Sequence, residues 1–164
     1  MFIRSAQLMD ANAIATIHVD SWRSAYEGII DKDYLQSLSV AAKEQEWRHI
    51  VQKDQVTTLV VEDEQQQILG WACFGADREQ PQQGELYAIY LSPQHWHQGV
   101  GKLLMQSVVQ QLMKDFDCFN VWVLSDNHAA RQFYQRQGFT HIQHSKYISI
   151  GQQSLQECCY RWHA

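Results

Sequence analysis

The chain has 164 residues and a formal net charge of −5, from 13 Lys and Arg against 18 Asp and Glu. That length corresponds to about one domain and suffices to bury roughly two thirds of the unfolded surface, so no disulfide or metal is needed to hold a core. The acidic balance argues against the basic stripe of a nucleic-acid binder and against a polybasic membrane anchor, and 45% apolar with 12% aromatic residues argues against disorder.

Charged residues make up only 19%, below the usual quarter, and glutamine (23 residues) fills the gap. The start, Met1 to Ser5, lacks the apolar stretch of a secretory signal, and no run approaches the ~18 apolar residues of a membrane span. A cytoplasmic location is expected, with no membrane and no nucleic-acid partner. The cysteines, Cys73, Cys118 and the pair Cys158-Cys159, show neither CxxC spacing nor a disulfide framework. They read as reduced structural thiols.

In chain order, Phe2 to Ala6 predicts a first strand. Asp10 is placed to cap a helical pattern carrying Ala13, Ile14, Ile17, His18 and Ser21, which Gly28 ends. Asp31 to Leu38 reads as a short helix, and Ser39 caps a third over about 40–52. Val56 to Glu62 and Ile68 to Ala76 make a hairpin across a polar turn. A polar loop with Pro81 leads into a strong strand, Glu85 to Leu91, which Ser92-Pro93 stops. Strict alternation places Glu85, Tyr87, Ile89 and Leu91 on one face of it.

Gly99 to Met113 is amphipathic, with Val100, Leu103, Leu104, Val108 and Leu112 on one face. Cys118 to Leu124 is a buried strand, and His128 to Arg136 a short helix closed by Gly138. Phe139 to about Ile148 and Leu155 to Trp162 are final strands, with a turn over 151–154. This order predicts one layered α/β (α+β) domain over residues 1–164. Its mixed, largely antiparallel sheet has about seven strands, and a parallel crossover joins Glu85 to Leu124. The final strands leave room for a homodimer, which no residue specifies.

The stretch Trp96-His97-Gln98-Gly99-Val100-Gly101-Lys102 lies between a strand and a helix. The first N–H groups of a helix lack partners and carry partial positive charge, and glycines let a phosphate approach them. It is not a Walker loop, because residue 96 is Trp and Leu103 follows Lys102. It is not a dinucleotide fingerprint, because residue 104 is Leu. Alone, it also reads as a structural turn.

Together with Leu86-Tyr87-Ala88-Ile89-Tyr90-Leu91-Ser92-Pro93, that stretch resembles the acyl-CoA-binding segment of the GNAT superfamily of N-acetyltransferases. Val121-Trp122-Val123-Leu124, Asn127, Ala130, Phe133-Tyr134 and Gly138-Phe139 resemble its second motif. Ile17-His18-Val19, Ser21-Trp22-Arg23, Ala25-Tyr26 and Gly28-Ile29 are similar to one bacterial branch. One departure is visible. Trp96 stands where the family has Gln or Arg, and His97 where Gly is common.

The resemblance implies acetyl-CoA as co-substrate and a small-molecule or protein amine as acceptor. It implies cofactor contacts from Ile89, Tyr90, Leu91, His97, Gln98, Gly99, Val100, Gly101, Lys102 and Asn127, chiefly through backbone N–H groups. It places a backbone N–H near Ile89 to Leu91 against the thioester carbonyl, and Tyr134 as the general acid for the departing thiolate. Core packing is the plainer reading of Tyr134, and helix capping that of Asn127. Glu85 is the expected general base, through water, against the plainer reading of a solvated strand-start charge. Trp22, Tyr26 and Glu27 are expected to line the acceptor pocket, where core packing is the alternative.

The eight histidines form no convincing ligand set, so no metal is expected. No cysteine falls in either motif, which favours direct attack in a ternary complex. Two other classes of function stay open: a non-catalytic acyl-CoA sensor, and an interaction module whose glycine turn is structural.

Overall fold

In the computed structural model, which describes residues 1–163, seven strands form one sheet. They are β1 (Phe2–Ser5), β2 (Val56–Glu62), β3 (Ile68–Ala76), β4 (Gly84–Leu91), β5 (Cys118–Leu124), β6 (Thr140–Ile150) and β7 (Gln153–His163). Their order across the sheet is β1-β2-β3-β4-β5-β7-β6. Every neighbouring pair is antiparallel except β4 and β5, which are parallel. The final hairpin is tighter than its sequence predicts, because both strands continue up to a turn at Gly151 and Gln152.

The helices are α1 (Ala11–Ala25), α2 (Lys32–Ser37), α3 (Val40–Ile50), α4 (Val100–Leu112) and α5 (His128–Arg136). Side-chain caps fix three of their starts. Asp31 accepts from the N–H groups of Asp33 and Tyr34, Ser39 from Ala42, and Asn127 from Ala130. Asp10 is an exception to the capping expected of it. Its carboxylate accepts from the Gln7 N–H at 2.7 Å and pairs with Arg4 at 2.7 Å, tying β1 to the turn before α1.

Two apolar clusters sandwich the sheet. On one face α1 and α3 cover Val60, Trp71 and Cys73 through Ile14, Ala15, Ile17 and Trp47. On the other, Val100, Leu104, Met105, Val108 and Leu112 of α4 cover Leu59, Ala72, Phe74 and Leu86, and Tyr134 of α5 joins the same cluster. This is the side-chain pattern of an amphipathic helix laid on a half-apolar sheet.

Pairing between β3 and β4 slips once. Phe74 faces Leu86 while Cys73 faces Ala88, so Tyr87 is an extra residue in β4. This bulge overturns the strict alternation predicted for the strand. Tyr87, Ala88 and Tyr90 pack on the α1 side, whereas Ile89 and Leu91 turn to the α4 side.

Leu104 is fully buried at the centre of the α4 face. Leu104→Ala should lower unfolding free energy by about 2 to 5 kcal/mol, read from urea midpoints. A smaller loss would place the core elsewhere.

Candidate active site

Pairing between β4 and β5 ends after Leu86 and Val121. Beyond that point β4 stays with β3 up to Leu91, and β5 stays with β7 up to Leu124. A cavity of about 1170 Å³ opens where they part. The Leu91 carbonyl accepts bonds from Ser21 Oγ at 2.7 Å and Trp96 Nε1 at 3.0 Å, so it faces away from β3. In an extended strand a residue's N–H and C=O point the same way, and the direction repeats every second residue. The N–H groups of Leu91 and Ile89 therefore point toward the cleft.

One arm of the cavity is bounded by the loop before α4. His97 and Gly99 adopt left-handed backbone, with φ of 60° and 83°. That conformation explains why glycine suits both positions; histidine tolerates it better than most residues. The first intrahelical bond runs from Leu103 N–H to the Gly99 carbonyl. The N–H groups of Val100, Gly101 and Lys102 thus have no helical partner. A Cβ on Gly101 would meet Leu91 and Phe133 at 3.2 Å, so glycine allows α4 to approach the end of β4. Trp96 uses its indole to anchor the loop to Leu91. Lys102 and Arg136 line this arm as exposed cations, and Asn127 lines it while capping α5.

The other arm is aromatic and ionic. Tyr26 and Tyr90 share a hydroxyl hydrogen bond of 2.8 Å, and Trp22 packs edge-on to Tyr26 at 5.1 Å. His18 stacks on Tyr90 at 5.7 Å and accepts the Trp47 indole N–H at Nδ1. Burial, helped by the charge of Lys43, pushes the His18 pKa down to about 4. Tyr134, 7% exposed, lines the cavity, and burial with Tyr26 nearby raises its hydroxyl pKa well up. It holds its proton at neutral pH.

Glu85 is 2% exposed at the start of β4. One oxygen accepts from Arg78 Nε at 3.0 Å and from the Arg78 backbone N–H at 3.2 Å, and the other accepts from the far guanidinium nitrogen. The Arg78 pKa is raised, first by that bond. The loop carrying Arg78 is pinned at its base. Asp77 accepts from the N–H groups of Glu79 and Gln80 and from Asn120, whose own oxygen accepts from Arg161 at 2.8 Å.

Most of the expected residues thus share one cavity wall: Trp22, Tyr26, Glu85, Ile89, Tyr90, Leu91, His97, Gly99, Gly101, Lys102, Asn127 and Tyr134. Three do not line it. Glu27 is exposed beyond the end of α1. Gln98 is exposed and donates to the Gln94 carbonyl. The Val100 side chain packs in the core, leaving only its backbone to the loop. Sequence reasoning missed Arg78, Trp122, Lys146 and Glu157, which also line the cavity. The available clue was Glu157 itself, a carboxylate directly before the buried run Cys158-Cys159-Tyr160 of β7.

The family model for the acetyltransferase (GNAT) family matches residues 13–139. The chain belongs to that family. The N-acetyltransferase YuaI of Bacillus subtilis, itself uncharacterized, is 38% identical over 128 residues, covering 76% of this chain and 72% of YuaI. The PaiA N-acetyltransferase of Thermoplasma acidophilum, solved in complex with coenzyme A, superposes with a TM-score of 0.76 at 20% identity, over 95% of this chain and 96% of that one. The ribosomal-protein-alanine N-acetyltransferase of Brucella melitensis superposes at 0.78 with 18% identity, over the whole of both chains. At that identity the two structures establish the GNAT fold. Among the described residues no group of side chains could hold a metal ion, and no helix is long and apolar enough to cross a membrane.

His18 gives this GNAT chain a readable pH dependence. The unfolded histidine protonates near its ordinary 6.5, while the folded one stays neutral until about 4. Its contribution to stability is therefore lost as pH falls across that window, with a slope of up to about 1.4 kcal/mol per pH unit. His18→Asn, whose amide oxygen can still accept the Trp47 bond, should flatten urea-derived stability there by about one proton. An unchanged slope would contradict the neutral buried imidazole.

Proposed function

We propose that the chain moves an acetyl group from acetyl-CoA to a primary amine by direct attack in a ternary complex. The carrying observation is the parting of β4 and β5. It sets the free N–H groups of Ile89 and Leu91 and the protonated Tyr134 on one cavity with the unpaired N–H groups of α4. The residues fit the co-substrate. Pyrophosphate suits the N–H groups of Val100, Gly101 and Lys102, with the Lys102 cation beside them. The pantetheine arm suits Asn127 and the open edge of β4. The PaiA neighbour's complex with coenzyme A supports this assignment.

One of the two N–H groups, Ile89 or Leu91, bonds the thioester oxygen as negative charge builds on it; at about 7 Å apart along the strand they cannot share one oxygen, and the other is left for the pantetheine arm. As the amine nitrogen bonds the acyl carbon, the carbon–sulfur bond breaks and its electron pair goes to sulfur. Tyr134 gives sulfur its proton, and the phenolate regains one from the nitrogen, which is left an amide. Burial pushes the Cys73 and Cys159 thiols up to about 11, and no cysteine lines the cavity among the described residues, which supports direct transfer without an acetyl-cysteine. The aromatic and ionic second arm favours an enzyme over an acyl-CoA sensor.

Acetyl-CoA with a panel of amines, followed by release of free thiol, tests the reading. Tyr134→Phe should lower kcat by about a hundredfold or more, with the KM for acetyl-CoA unchanged. An unchanged rate would remove Tyr134 as the acid. Failure of the wild-type chain to release thiol with any amine would favour the sensor.

A further inference from the structure

Four carboxylates line the cavity, and three of them are engaged. Asp77 holds Asn120, Glu85 holds Arg78, and Glu79 holds Lys146 at 3.2 Å. Among the described residues no ion pair includes Glu157. Lys146, the cation across the β6–β7 ladder from it, is turned to Glu79 and lies over the Trp122 ring at 3.9 Å.

The sheet register fixes the level of Glu157 along the strands. Glu157 faces Leu124 of β5. Continuing the β4–β5 register three residues past Leu86 and Val121 brings Leu124 level with Ile89 and Tyr90 on the opposite wall. Glu157 is therefore level with the free N–H groups of β4, one strand behind the β5 wall, half-buried and lining the same cavity. Glu85 lies four residues back along β4, roughly 13 Å at the usual rise, with both oxygens on Arg78. Between these charges the cavity wall that Glu157 shares is apolar or aromatic, with Tyr26, Trp122, Leu124, Ile148 and Ile150 lining it.

We infer that Glu157 receives the acceptor as an ammonium ion, takes its first proton, and restricts it to an amine with one cationic centre on an apolar or aromatic body. The inference rests on the acetyl-transfer reading. The amine delivered to the thioester is then neutral and has its lone pair. The Glu157 carboxyl releases the proton to solvent after turnover, which balances the one proton the overall reaction liberates. A second ammonium would have to displace Lys146 or Arg78 from its partner, and a carboxylate on the acceptor would meet Glu157 itself.

The surroundings suit a base. Burial raises the Glu157 pKa. Lys146 of β6 and Arg78 of the β3–β4 loop oppose this, and Glu85 of β4 adds to it. Tyr26, after α1, is the remaining titratable group shown to feel the Glu157 charge. Activity should therefore rise as pH passes a value above the ordinary glutamate range, where Glu157 ionises.

The test uses the full chain, acetyl-CoA and three probes: phenethylamine, spermidine and glutamate. Wild type should use phenethylamine with kcat/KM at least about tenfold above the other two. Glu157→Gln should lower kcat/KM for phenethylamine by about a hundredfold at neutral pH, with the KM for acetyl-CoA unchanged. Its rate should then climb with pH until the free amine itself predominates. Glu157→Asp should recover about tenfold of the loss, which a fold defect at this position would not allow. Wild-type rates and an unaltered pH profile in Glu157→Gln would overturn the role of Glu157, and so would a raised KM for acetyl-CoA as the only change. Preference for spermidine or glutamate would overturn the acceptor class. Wild-type chain that acetylates none of the three probes but releases thiol with another amine would overturn the acceptor class alone, and one that binds acetyl-CoA and releases no thiol with any amine of the wider panel would overturn the transfer reading and this inference with it.

Discussion

The parallel pairing of β4 and β5 lasts three residues, from Gly84–Phe119 to Leu86–Val121, and the rest of the site depends on where it stops. Two strands that part inside a sheet expose backbone N–H groups that a closed ladder would consume, and such groups need another partner. The bulge at Tyr87 and the two bonds on the Leu91 carbonyl hold β4 in this course. Apolar clusters pack against both faces of the sheet. The gap is therefore a fixed feature of the fold, and its groups are oriented before any substrate arrives.

The charge of −5 misrepresents what the cavity offers locally. Its phosphate arm needs little formal charge, because helix N–H groups supply partial positive charge and Lys102 and Arg136 stand beside them. Its other arm holds four acids against Arg78 and Lys146. The two arms thus differ in sign. On the proposed reading, an anionic co-substrate and a cationic acceptor are drawn to opposite ends and meet where the strands part.

Much of this fold was legible in the sequence. Strand runs rich in Val, Ile and aromatics, the apolar face of α4, and the caps Ser39 and Asn127 are local features, so local patterns identify them. The strand-to-helix turn at Gly99 was legible for the same reason, while its left-handed backbone was not. What escaped depends on partners distant in sequence. Asp10 looks like a helix cap until Arg4 is beside it. The bulge at Tyr87 is set by β3, and it reverses which residues of β4 face which layer. Glu85 looks like a solvated strand-start charge until the β3–β4 loop folds Arg78 over it. Glu157 acquires its position only from the register that places β7 against β5.

On the proposed reading, the free N–H groups of β4 and of the first turn of α4 make one surface for coenzyme A. Amide hydrogen exchange with and without coenzyme A tests it most directly. Bound coenzyme A should slow exchange at Ile89, Leu91 and Val100 to Lys102, with little change at the β6–β7 turn around Gly151. Unchanged exchange at those amides under saturating coenzyme A, or protection confined to the β6–β7 hairpin, would contradict it.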